Sequence, residues 1–247
     1  MIRRILLLML VLLPVVGATQ PFRVVYTGDS ITDGGWGRSG GSMASAEERN
    51  RSDLNHLYGH SFMLFAAAHF ESCYPERAWS FHNRGISGYT LDDLHTRWER
   101  DVLALQPDLL SILIGTNDVD RALREGDGID VVAWEHSYRR LLDRTREAFP
   151  TIRLVLCTPF VANTGRMTKQ TNYAERAAQV AALAEVVVRL AEEYGATLVR
   201  FDQLFAELLS MPVRGEHWIW DGIHPTAAGH RRMADLWIEK AGAELLQ

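Results

Sequence analysis

The sequence predicts an α/β fold: a five-stranded parallel sheet covered by helices on both faces. Three observations predict it. Short apolar runs alternate along the chain with longer segments of helical periodicity. Two central runs, Leu109–Ile114 and Ile152–Cys157, are almost continuously apolar, as strands buried on both faces are. The runs end on punctuating residues, with Gly28, Gly115 and Pro159 just beyond them.

The chain opens with Arg3–Arg4, an apolar run from Ile5 to Val16, and Gly17–Ala18. A positive start, a short apolar stretch and small residues predict a signal peptide over residues 1–18. The run is shorter than the roughly 20 apolar residues of a membrane span, which disfavours an uncleaved anchor. No cysteine follows the small residues, so lipoprotein attachment is not suggested. Residues 19–247 then form a single domain, periplasmic or extracellular, with no stable membrane insertion after cleavage.

The elements come in order. Arg23–Thr27 is the first strand. Gly34–His56, rich in Gly, Ser and charge, predicts a long loop that walls a site. Tyr58–Cys73 is a helix and Trp79–Asn83 the second strand. Leu91–Leu105 is a helix with charges on one face, followed by the strand Leu109–Ile114. Val131–Phe149 is a helix stopped by Pro150, before the strand Ile152–Cys157. Thr171–Tyr194 is a long helix stopped by Gly195. Thr197–Phe201 is the fifth strand, and Thr226–Leu246, just after Pro225, is the closing helix.

Composition excludes several classes. The chain has 247 residues, 47% hydrophobic and 23% charged, which suits one folded core. Its net charge is −5, or −7 once Arg3 and Arg4 are removed, and it has no basic tract. It is therefore a poor partner for nucleic acid or an anionic membrane. Two cysteines exclude a disulfide scaffold and a Cys-rich zinc module. Cys73 and Cys157 read as small buried residues rather than a bonded pair.

The chemistry gathers at the strand ends, where an open parallel sheet binds its ligand. Gly28-Asp29-Ser30-Ile31-Thr32 comes after strand one and Asn83-Arg84-Gly85-Ile86-Ser87-Gly88 ends strand two. Gly115-Thr116-Asn117-Asp118 comes after strand three, and Asp221-Gly222-Ile223-His224-Pro225 precedes the last helix. Asp221 can fold back onto His224 Nδ1, fixing the tautomer and leaving Nε2 as a base. The plain alternative is a polar turn at a helix start. Ser30 needs such a base to become a nucleophile, although a serine there also suits an N-cap. The Ser30 and Gly88 N–H groups and the Asn117 amide supply three donors for an oxyanion; alone, Gly88 and Asn117 are ordinary turn residues. Around Ser30 the elbow G-x-S-x-G is absent, since the sequence there is Gly28-Asp29-Ser30-Ile31-Thr32, which argues against the common α/β-hydrolase fold.

Together these segments resemble the blocks of the SGNH hydrolases, the GDSL esterase/lipase family. Ser30 matches the block I serine, Gly88 the block II glycine, Asn117 the block III asparagine and His224 the block V histidine. Asp221 matches the acid three residues before that histidine. The segment from Asn83 to Val119 looks like acetylxylan-esterase-type members, which share Gly-Ile-Ser-Gly, Arg-Trp-Glu and Gly-x-Asn-Asp-Val. The resemblance implies a flavodoxin-like three-layer α/β/α sandwich with strand order 2-1-3-4-5. It also implies an esterase using no cofactor and no metal. Export and resemblance together point to acetyl esters on a polysaccharide or oligosaccharide such as xylan.

Asp29 and Trp220, next to Ser30 and Asp221, are assigned to substrate contact. Trp220 is expected to line the acyl pocket while Trp218 packs in the core. Gly35–Gly40 matches G-x-G-x-x-G but does not open a helix directly after the strand, so it reads as no dinucleotide site. His56 and His60 lack further ligands at metal spacing. Two other readings share the residues: a lysophospholipase- or thioesterase-type lipid esterase, and a non-catalytic carbohydrate-binding protein. A homo-oligomer is compatible with all of them.

Overall fold

The computed structural model describes residues 20–36, 58–126 and 128–246. The signal-peptide segment and most of the Gly34–His56 loop, with His56 and most of the Gly35–Gly40 motif, lie outside the described residues. Five strands form one sheet in the order β2-β1-β3-β4-β5. They are β1 (Phe22–Gly28), β2 (Trp79–Gly85), β3 (Leu109–Leu113), β4 (Arg153–Cys157) and β5 (Thr197–Val199), all parallel. The family order expected from the sequence motifs is the order observed.

Eight α-helices surround the sheet among the described residues: α1 (Ser30–Asp33), α2 (Phe62–Cys73), α3 (Leu91–Asp101), α4 (Thr116–Glu125), α5 (Val131–Ala148), α6 (Tyr173–Glu193), α7 (Phe201–Ser210) and α8 (Ala227–Leu246). Alternation along the strands divides the interior into two cores. Val24, Tyr26, Leu109, Leu113, Val155 and Cys157 face α2, α7 and α8. Val25, Leu110, Ile112, Leu154 and Leu156 face α3, α5 and α6. Buried aromatics lock the first layer: the Tyr26 and Trp237 rings lie 5.0 Å apart, and the Trp237 indole donates to Ser111 Oγ at 3.0 Å. No helix among the described residues is long and apolar enough to cross a membrane.

Several local expectations are corrected. A helical turn, α1, starts at Ser30 itself. Helices α4 and α7 add to the predicted pattern. Strand β5 ends at Val199 because Phe201 opens α7, whose Phe201, Leu204, Phe205 and Leu208 are buried at helical spacing. Helix α2 starts at Phe62, not Tyr58, and α3 tightens into a 3-10 turn at Leu103–Leu105. Cys157 is buried as expected, but Cys73 is exposed; both are free thiols. Cys73 ends α2 on its solvent side, away from the core that holds Cys157.

Candidate active site

Strand β1 lies between β2 and β3, so the turn leaving β1 is flanked by the loops that leave its two neighbours. Ser30 comes after β1, Gly88 after β2, and Asn117 after β3. The turn out of β1 requires glycine. Gly28 has φ +150°, and a Cβ there would stand 2.1 Å from the Leu113 carbonyl oxygen. The chain then enters α1, with Ser30 as its first residue and Asp29 as its N-cap. The Ser30 N–H, in the first turn, has no intrahelical acceptor.

The far half of the site comes from the loop before α8. Trp220 N–H donates to the His224 carbonyl at 3.2 Å, closing that loop on itself. Asp221 Oδ1 accepts the N–H groups of Ile223 and His224, at 3.0 and 2.8 Å. Its Oδ2 pairs with His224 Nδ1 at 2.9 Å. His224 Nε2 then lies 2.8 Å from Ser30 Oγ, 194 residues away in sequence. Ser30, His224 and Asp221 thus form one continuous hydrogen-bonded chain. Burial opposes ionisation of Asp221, but the His224 and Ile223 N–H groups and the imidazole outweigh it and hold its carboxyl below the usual range. It is an anion fixed beside Nδ1, and so holds the orientation of the imidazole ring.

Neighbouring segments brace this loop. Thr164 Oγ1 donates to Ile219 O at 2.7 Å, and Ala162 N–H donates to Gly222 O at 2.8 Å. From the 3-10 turn at Gly165–Lys169, Arg166 brings a guanidinium nitrogen 3.3 Å from Asp221 Oδ2. Sequence reasoning misses Arg166, because nothing in its local sequence sets it apart. His230 on α8 is buried and accepts the Phe62 N–H at 3.2 Å, closing the start of α2. Burial, with His60 and His224 nearby, pushes its pKa down to about 3, so it stays neutral.

Gly88 has φ +81°, and a Cβ there would meet nothing within 4 Å. Its glycine is therefore set by conformation, and its free side is open. The Asn117 amide donates one N–H to Tyr89 O at 3.0 Å, which leaves the other available. Asp33, on α1, accepts the Ser87 N–H at 2.9 Å and the Gly35 N–H at 3.0 Å. Trp36 packs beside this turn, with its indole donating to Gly85 O at 2.8 Å and Arg84 over its ring at 5.1 Å.

Two substrate assignments change. Asp29 is only 2% exposed, and its carboxylate accepts the Ile31 N–H at 2.9 Å. It faces the fold as a cap rather than the open side of the site. Burial, then the charges of Asp118 and Asp33, raises its pKa to about 7. Burial likewise raises Asp118 to about 6. Trp220 is 58% exposed and lies beside the His224 ring, with centroids 6.2 Å apart and planes 25° from parallel. That places it at the rim of the site, while Trp218 packs against the core.

Comparison with known proteins shows the family. The model of the GDSL-like Lipase/Acylhydrolase family matches residues 26–232. The acetylxylan esterase of Geobacillus stearothermophilus is 29% identical over 227 residues, covering 90% of this chain and 94% of the relative. A solved structure of a variant of the acetyl xylan esterase from that organism superposes with TM-score 0.73 at 29% identity, covering 89% of this chain and 94% of the other. A protein of Parabacteroides merdae designated GDSL-like lipase gives TM-score 0.76 at 33% identity, covering 89% of this chain and 95% of the other. The chain belongs to the GDSL-like lipase/acylhydrolase family and is a carboxylic ester hydrolase.

Proposed function

We propose that this protein is an exported serine esterase that removes acetyl groups from a polysaccharide or its oligosaccharides, xylan being the first candidate. The carrying observation is the hydrogen-bonded chain from Ser30 Oγ through His224 to Asp221. Ser30 Oγ attacks the ester carbonyl carbon, and His224 Nε2 takes its proton. The tetrahedral oxygen is met by the N–H groups of Ser30 and Gly88 and by the Asn117 amide. Collapse breaks the bond to the sugar oxygen, which leaves with the proton from His224. His224 then deprotonates water, which releases acetate and regenerates Ser30. No step calls for a cofactor or a metal.

The acetyl-xylan preference draws on the Geobacillus stearothermophilus relative, and the exposed Trp220 ring gives a sugar a surface to stack on. Export draws on the Arg3–Arg4 start and the apolar run to Val16, and N-terminal sequencing of the mature protein after Ala18 would check it.

Acetate release from acetylated xylan tests the function, with 4-nitrophenyl acetate and octanoate alongside and Ser30→Ala as the control. Release by the unaltered protein alone, with acetate preferred, is the expected result. Octanoate preference without xylan turnover would move the substrate to lipids or acyl thioesters. Activity retained by Ser30→Ala would overturn the mechanism.

A further inference from the structure

Two adjacent side chains at the start of α4 reach into one stretch of backbone. Asn117 Nδ2 donates to Tyr89 O, and Asp118 Oδ1 accepts the Leu91 N–H, each at 3.0 Å. That stretch comes directly after Gly88. The same Asp118 oxygen accepts the Trp134 indole N–H at 2.9 Å. One carboxylate oxygen, on a side chain only 8% exposed, thus joins the starts of α3, α4 and α5.

Helix α3 does not need this carboxylate as its cap. Thr90 and Asp93 already form a capping box, with Asp93 Oδ2 accepting the Thr90 N–H at 2.9 Å. The bond from Asp118 runs between elements instead. Its effect falls on Gly88, which has no side chain and so no packing of its own to hold it. The position of Gly88 rests on its neighbours: Ser87 N–H on Asp33 before it, Tyr89 and Leu91 on Asn117 and Asp118 after it. Donors to a developing oxyanion act only when held in place beforehand, to within about 0.5 Å.

We propose that Asp118 is a positioning residue of the oxyanion site, holding the Gly88 turn and the Asn117 amide in one fixed relation so that both N–H groups meet the same oxygen. This rests on Gly88 and Asn117 being the oxyanion donors.

The test compares the unaltered protein with Asp118→Ala and Asp118→Asn on 4-nitrophenyl acetate. In the alanine protein kcat falls about 10–100-fold while KM stays within about threefold. Affinity for a short alkyl boronic acid, whose adduct with Ser30 mimics the tetrahedral oxyanion, falls by the same factor as kcat. Asparagine keeps one acceptor oxygen for both N–H groups, so Asp118→Asn restores kcat to within about threefold of the unaltered protein. If Asp118→Ala does not fold by circular dichroism, Asp118→Ser carries the same expectation. A folded alanine or serine protein with full kcat overturns the proposal. So does a loss confined to KM, an unchanged boronate affinity beside a lowered kcat, or failure of asparagine to rescue. Asn117→Ala separates the two levels: full kcat and full boronate affinity there would remove the oxyanion reading itself.

Discussion

Replacing Asp29 by asparagine separates its role as a cap from its charge. The amide oxygen of asparagine still accepts the Ile31 N–H that Asp29 accepts at 2.9 Å, and asparagine is as good an N-cap as aspartate. What disappears is a carboxyl whose pKa burial raises from 3.8 to about 7 in the folded protein. A raised folded value means that the native state holds the proton more tightly than the unfolded chain. Below about pH 4 both states are protonated and the group favours neither. Between about pH 4 and 7 the unfolded chain loses a proton that the folded protein keeps. Stability then falls by about 1.4 kcal/mol per pH unit. Above about pH 7 both states are ionised, and the accumulated penalty levels off near 4 kcal/mol as an upper estimate. Asp29→Asn carries no such penalty. Its unfolding free energy relative to the unaltered protein should therefore rise by about 2–4 kcal/mol from pH 4.5 to pH 8. Urea denaturation of both proteins, monitored by circular dichroism at pH 4.5, 6 and 8, measures that difference. Asp118 also titrates in this window, at about 6, but it is present in both proteins and largely cancels. A difference that does not change with pH, or that shrinks as pH rises, would refute the reasoning.

Two further changes probe the site. Asp221→Asn removes the anion and turns an amide N–H toward His224 Nδ1, which favours the wrong tautomer; kcat on 4-nitrophenyl acetate should fall about 10³–10⁴-fold with the melting temperature little changed. A loss below tenfold would show that Asp221 is not the orienting acid. Trp220→Ala removes an exposed ring, so stability should stay within about 0.5 kcal/mol. Its kcat/KM on acetylated xylo-oligosaccharide should fall about three- to tenfold further than on 4-nitrophenyl acetate, from lost stacking on the sugar; equal losses on both would remove Trp220 from sugar recognition.

Much of the fold and site was legible in the sequence, for a physical reason. Central strands buried on both faces must be continuous apolar runs, so Leu109–Leu113 and Arg153–Cys157 announce themselves within two residues of their ends. Residues with special backbone or chemistry also stand out: Gly28, Ser30, Gly88 and Asn117 at or just after strand ends, and Asp221 and His224 in the loop before α8. Helix α7 was hidden because Phe201 reads as the tail of a strand; only the sheet's edge decides that β5 stops at Val199. Helix α4 was hidden because its first turn carries site residues that read as a loop.

The sequence by itself determined the fold class, the order of the strands along the chain and which side chains are candidates for the chemistry, since periodicity and residue type are local properties. The tertiary structure alone decided which carboxylate does what. Asp29, Asp33, Asp118 and Asp221 are four aspartates near the strand ends and the loop before α8, alike as residue types. Burial and partners separate them into a buried cap with a raised pKa, a brace beneath the Gly88 turn, a tie between three helix starts and an ionised partner for His224. Those roles arise from contacts between residues as many as 54 positions apart for Asp33 and from the three-residue turn that closes Asp221 onto His224. Arg166 and the solvent-facing Cys73 obey the same rule, because exposure and long-range partners exist only once the chain has packed.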